Sequence, residues 1–172
     1  MERGVLLHIS SLPGEYGIGS FGEAAYRFVD LVRKSRLTLW QVLPLNVTSY
    51  GDSPYQSPSA FAGNPYFIDL DLLVRDGLLT NEELPHYPAG AVDYAALYDE
   101  RWDTLRKAFA RFAGGEEYDD FCESAKWLDD YALFMTVKSL CGNVGLDAWP
   151  DEYRLRDKAA LEKVRRAQRD EL

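Results

Sequence analysis

The chain has 172 residues, 47% hydrophobic and 27% charged, a globular composition of a size that suits one domain. With 28 acidic against 19 basic side chains it carries a net charge of −9, which argues against the positive footprint of a nucleic-acid binder. Two cysteines, Cys122 and Cys141, are too few for a disulfide framework, and no apolar run is long enough to span a bilayer.

Residues 4–9 (GVLLHI) form a short, mostly apolar run before a turn-rich stretch, the pattern of a strand covered on both faces. Ser20, with Glu23 three residues on, has the spacing of a capping box that opens a helix. Phe21, Ala24, Ala25, Phe28, Leu31 and Val32 give that helix one apolar face, and Arg33, Lys34 and Arg36 suit its C-terminal dipole. Residues 37–43 (LTLWQVL) read as a second buried strand, stopped by Pro44. Strand, helix and strand in this order predict a βαβ unit with parallel strands and a right-handed crossover.

The stretch 40–66, WQVLPLNVTSYGDSPYQSPSAFAGNPY, therefore leaves the C-terminal end of a parallel strand, the edge where α/β proteins bind ligands. Its loop, 44–66, is crowded with polar side chains and held by Pro54, Pro58, Pro65, Gly51 and Gly63. Loops of this kind on a rigid strand collect binding residues; a Pro-rich surface connector is the plainer reading.

After Tyr66 the pattern becomes helical. Residues 71–75 predict a short helix ended by Gly77, and Thr80 with Glu83 forms a second capping box over a brief helix. Asp93 can cap a longer helix, with Tyr94, Leu97, Tyr98, Trp102, Leu105, Phe109 and Phe112 on one face and Gly114 and Gly115 at its end. Residues 118–128 and 130–141 give two more helical segments that hold Cys122 and Cys141 as small core residues, and Gly142 follows as a stop. A loop with Trp149 and Pro150 leads to an amphipathic helix over 156–171, with Ala160, Leu161, Val164 and Ala167 inward. Two parallel strands with so many helices do not close a core, which points to the opening part of a larger protein; a small complete α/β domain with an undercounted sheet is the alternative. The N-terminus lacks the layout of a signal peptide, and residues 169–172 match a retention tail that has no meaning without one, so the expected location is cytoplasmic.

GVLLHISSLPGEYGIGSFGEAAYRFVD, WQVLPL and SYGDSPYQSPSAFAGNPYFIDLDLL together closely resemble the N-terminal region of the amylomaltases, the 4-α-glucanotransferases of the α-amylase superfamily. The likeness continues more loosely through VDYAALY, WLDDYALFMTVK and Trp149–Pro150, and so covers essentially the whole chain. The chain departs from the family pattern at Ser49, where a glycine is usual, and at Asn46 and Val47, where the family usually has Gly-Pro.

The resemblance implies an α/β fold: residues 1–66 would supply the first two parallel strands of a (β/α)₈ TIM barrel and the binding loop 44–66. Residues 67–172 would form a mainly α-helical insertion, the chain ending before the barrel closes. It implies transfer of α-1,4-glucan segments to a sugar 4-hydroxyl with retention, which needs two carboxyl groups about 5–5.5 Å apart. Those motifs do not occur here, so no catalytic residue is expected in this chain. The resemblance assigns Tyr55 to packing on the sugar beside the scissile bond, and Ser53 to a hydroxyl contact in the same site. It assigns Tyr50 and Tyr98 to a second glucan site, although the helical spacing of Tyr98 equally suits a core residue. Asp52 reads as a turn residue bonding nearby backbone, while His8, Asn64 and Gln41 read as structural groups. No metal-ligand spacing is present. Gly17 to Gly22 (GIGSFG) fits a dinucleotide fingerprint only by count, so no cofactor is expected. The expected partners are α-1,4-glucans and maltooligosaccharides, with no nucleic acid and no membrane. A carbohydrate-binding module without catalysis, or an interaction surface, remains the competing reading.

Overall fold

The computed structural model describes residues 2–49, 51–88 and 90–168. The chain divides into two compact units, Met1–Ala113 and Gly114–Leu172.

In the first unit, β1 (Gly4–Leu6) pairs in parallel with β2 (Leu39–Gln41), Val5 lying opposite Trp40. The helix α1 (Glu23–Lys34) connects them, so the βαβ unit expected from the sequence is present. Both strands are shorter than their apolar runs. Beyond Leu7, whose amide donates to the Gln41 carbonyl at 3.1 Å, the chain turns into a 3₁₀ segment, Ile9–Ser11, that buries Ile9. Trp40 fastens the unit in two ways. Its ring lies 4.8 Å from that of Phe28 on α1, and its indole N–H donates to the Leu7 carbonyl at 2.7 Å. The opposite face of the strand pair is open: Leu6 is 57% exposed and Leu39 49%. Coverage on both faces, expected from the apolar runs, is therefore met on one face among the described residues.

The capping box expected at Ser20 does not form. The helix begins at Glu23 with Gly22 as its cap, and Glu23 pairs with Arg27 at 2.9 Å instead of reaching back. The reason is a distant competitor, Asp69, which accepts from the Ser20 hydroxyl at 2.5 Å. Its carboxylate occupies the place of a Gly22 side chain, since a Cβ there would lie 1.8 Å from Asp69 Oδ2. The other Asp69 oxygen caps α2 (Leu70–Arg75) through the Leu72 amide at 3.1 Å. The glycines of the Gly17–Gly22 run thus permit close packing: a Cβ on Gly19 would meet the Ile9 carbonyl at 2.0 Å.

The two later caps form as expected. Glu83 accepts from the Thr80 amide at 2.9 Å over the 3₁₀ segment Asn81–Glu83. Asp93 accepts from Ala95 and Ala96 at the start of α3 (Tyr94–Arg111). At its other end Arg111 grips Glu83 with two bonds, at 2.6 and 2.8 Å, and holds that carboxyl down at about 2. The inward face of α3 differs from the expected aromatic stripe. Leu97, Arg101, Thr104 and Ala108 are buried, while Tyr98, Trp102, Phe109 and Phe112 are exposed. A guanidinium takes the inward position because it reaches backbone carbonyls that no hydrocarbon could satisfy. The core of the unit gathers Ile9, Leu12, Ile18, Ala25, Tyr66, Phe67 and Leu97, with a second cluster around Leu70, Leu79 and Ala108.

The second unit contains α4 (Glu116–Ser124), α5 (Leu128–Leu140), α6 (Asp151–Arg154) and α7 (Lys158–Ala167); α5, α6 and α7 gather around a core of Leu133, Val137, Trp149 and Val164. Trp149 stacks on Phe134 at 5.4 Å, and Arg165 on α7 grips Asp129 on α5 with bonds of 2.6 and 2.7 Å. Val164 of the predicted inward set is buried and Ala167 is exposed. Cys141 packs at the edge of this core, and both cysteines are free and half-buried. The end of the helix expected over 156–171, and the tail 169–172, lie outside the described residues.

Asp69→Ala removes both the α2 cap and the Ser20 bond. It is expected to lower stability by about 2 kcal/mol, read as a shift in the urea midpoint at unchanged m-value.

Candidate functional site

The sequence places a turn or loop after each parallel strand, and the fold brings both exits to one edge. There His8, following β1, is bonded to the exit of β2: its Nδ1 accepts the Leu43 amide at 3.2 Å. The ring is 8% exposed and packs edge-on to Phe67 at 5.3 Å. Burial lowers its pKa, and the accepting Nδ1 requires the proton, where one is present, on Nε2. His8 is thus a structural group, as the sequence suggested.

Between the two exits lies an open cavity of about 120 Å³. Its polar lining includes Ser10, Ser11, Asn46, Thr48, Asp52 and Asn64; Ile18, Pro54, Phe67 and Tyr94 supply apolar wall. The volume is well below the roughly 300–1,000 Å³ of an enclosing ligand pocket, so a larger ligand would rest against this surface and not be enclosed by it.

The loop 44–66 is an ordered hairpin-like ribbon. Asn46 and Gly63 form an antiparallel bridge, and rungs run from the Val47 amide to Ala62 at 3.1 Å and from the Ser49 amide to Gln56 at 3.1 Å. Asn64 closes the base. Its amide donates to Leu45 at 2.9 Å, and its side chain accepts from the Tyr66 amide at 3.0 Å. Ser59 Oγ accepts from the amides of Phe61 and Ala62, and Ser57 Oγ from that of Ser59. The tip turns through two consecutive left-handed residues, Gly51 (φ 80°) and Asp52 (φ 52°), the latter unusual for a residue with a side chain.

Ser53 and Tyr55 stand at this tip. Tyr55 is 73% exposed and its amide donates to Ser53 Oγ at 3.3 Å. That bond uses an acceptor lone pair of Ser53, so its hydroxyl proton can be directed at a ligand. Their chain neighbours Asp52 and Pro54 line the cavity. Tyr98 is 57% exposed, one helical turn beyond Tyr94 of the cavity wall, which sets aside the core reading of its spacing. Tyr50 lies outside the described residues.

Asp52 behaves differently from the sequence expectation. Its carboxylate accepts from the Thr48 hydroxyl at 3.3 Å, and it is Asp52's own amide that closes the turn, donating to Ser49 at 3.0 Å. Burial, followed by the charge of Asp52, pushes the Tyr66 phenol up to about 12 and raises that of Tyr94. Both phenols therefore stay protonated donors. Gln41 has an exposed side chain, and its contribution to the sheet is its backbone carbonyl. Sequence reasoning missed Ser10, Ser11 and Tyr94. The signal for the two serines was their place directly after a predicted strand; Tyr94 was hidden by its assignment to an apolar helix face.

A cavity at the C-terminal edge of parallel strands, walled by hydroxyls, amides, a carboxylate and aromatic rings, is the ligand-facing edge of an α/β protein. The chain belongs to the 4-alpha-glucanotransferase family, whose model matches residues 7–172. A 4-alpha-glucanotransferase of Streptococcus pneumoniae is 48% identical over 99% of this chain and 36% of its own length. That of Thermus thermophilus is 45% identical over 98% of this chain and 35% of its own. Among solved structures, an amylomaltase from Streptococcus agalactiae in complex with acarbose superimposes with a TM-score of 0.91 at 41% identity, covering 99% of this chain and 36% of that one. The chain thus spans about a third of the length of these relatives. No helix among the described residues is long and apolar enough to cross a membrane.

The pH dependence of stability tests the state of His8. Its folded pKa lies below the unfolded value of 6.5, so the unfolded chain takes up the proton first as pH falls. Its contribution is complete above 6.5 and is lost as pH drops through the folded value. Between pH 7 and 5 the wild type is expected to lose more stability than His8→Asn, whose Oδ1 can accept the Leu43 amide without titrating; denaturant midpoints across that range check this.

Proposed function

We propose that this chain is the glucan-binding opening of a 4-α-glucanotransferase, which moves a segment of an α-1,4-glucan to the 4-hydroxyl of another glucan or of glucose. The observation that carries the reading is the pre-ordered loop tip, with Tyr55 exposed beside a polar cavity at the strand-exit edge of a chain from this family. Tyr55 offers an apolar ring face to sugar C–H groups and a hydroxyl to their oxygens, and Ser53 adds a second hydroxyl. Tyr50 and Tyr98 form a second glucan site that holds a longer chain away from the reacting bond.

In this reading residues 1–66 open a (β/α)₈ barrel and residues 67–172 form its helical insertion. The open face of β1 and β2, with Leu6 and Leu39, supports that arrangement, since parallel strands are stable when covered on both sides. The nucleophile and acid/base of a retaining mechanism stand on parts of the protein outside this chain, about 5–5.5 Å apart. Asp52 is not one of them: it is bonded to Thr48 within its own turn and serves the loop. The enzyme works on maltooligosaccharides in the cytoplasm.

Two results are expected. The 172-residue chain transfers no glucan, while the full-length protein disproportionates maltotriose, as followed by product chromatography. Tyr55→Ala in the full-length protein raises KM for maltotriose about tenfold or more, the loss of roughly 1.4 kcal/mol of stacking contact. An unchanged KM would remove Tyr55 from the site.

A further inference from the structure

Arg101 sits in the middle of α3 with 1% of its surface exposed. Its Nη2 donates to the Tyr66 carbonyl at 2.9 Å and also to the Ile68 carbonyl. Its Nε and Nη1 meet no acceptor among the described residues. Removing a guanidinium from water is costly, and the two carbonyls it serves would lose this donor if a hydrocarbon took its place. What the guanidinium adds is a charge-assisted grip on two carbonyls that flank Phe67.

Those carbonyls lie where the 44–66 loop ends. Asn64 fixes the loop base just before them, and Asp69 begins α2 just after. Phe67 lines the cavity, and the ring of Tyr66 lies 6.4 Å from that of Tyr94, which also lines it. On the other side of the grip, α3 bears Tyr94 and, one turn on, Tyr98. A single buried side chain thus joins the root of the loop that presents Ser53 and Tyr55 to the helix that presents Tyr98.

We propose that Arg101 is a positioning residue for glucan binding, which sets the root of the 44–66 loop against α3 and so fixes the placement of the loop-borne and helix-borne tyrosines. This rests on the glucan-binding reading of those tyrosines. The experiment compares Arg101→Met, which keeps length and removes every donor, with Arg101→Lys, which keeps the charge at a single donor point, both in the full-length protein. Hydrogen exchange is expected to quicken about tenfold in the amides of the loop and its root in Arg101→Met, less in Arg101→Lys, with α1 and α5 at wild-type rates. KM for maltooligosaccharides is expected to rise about tenfold with kcat within about twofold, and Arg101→Met combined with Tyr55→Ala to cost less than the product of the two single effects. Uniformly faster exchange with an unchanged KM, or effects that multiply independently, would overturn the proposal and leave Arg101 a stability residue. If Arg101→Met does not fold, Arg101→Lys carries both measurements. If the wild type transfers no glucan, the functional reading fails, and the exchange measurement still decides whether Arg101 holds the loop.

Discussion

The parallel pairing of β1 with β2 is the constraint on which the rest depends. Because the two strands run the same way, both chains leave by one edge, and whatever follows each strand must share that space. Ser10 and Ser11 come from one exit, and Leu43, Pro44 and Asn46 from the other. The His8 bond to the Leu43 amide joins the exits directly, which is why a buried imidazole is useful there and why it has to stay neutral on that nitrogen. Trp40 plays the matching part inside the unit, linking β2 to α1 through its ring and to β1 through its indole N–H.

Around this edge the polar groups are held chiefly by backbone. Asn64, Ser57, Ser59 and Ser53 all accept main-chain amides, and Arg101 donates to main-chain carbonyls. The loop therefore takes its shape from local hydroxyl and amide bonds that need little apolar burial. Electrostatics follow the same economy of means. Burial first, and then the charge of Asp52, biases the Tyr66 and Tyr94 phenols toward their protonated form, and with it the hydrogen-bonding character of the cavity wall.

What could be read from the sequence was what is decided locally. The crossover unit, the Thr80–Glu83 box, the Asp93 cap and the glycine stops each depend on residues a few positions apart, and each is present. The failures share a cause at long range. Ser20 left its predicted box because Asp69, 49 positions away, is a better acceptor and is admitted by Gly22. The face of α3 was misjudged because hydrophobicity selects the aromatic stripe, whereas the carbonyls of Tyr66 and Ile68 required a cation inside. At the site, the loop and its tip residues were legible from polarity and prolines, but the cavity wall was not. Ser10, Ser11 and Tyr94 are ordinary residues until the strands bring them together.

The ladder of bonds inside the 44–66 loop bears on how a guest would be received. A segment already braced by its own rungs has few conformations left to surrender, so docking a ligand against it would entail little further ordering. Discrimination at such a surface comes from mismatch with a fixed relief: a ligand of the wrong outline meets a surface that does not reshape itself around it.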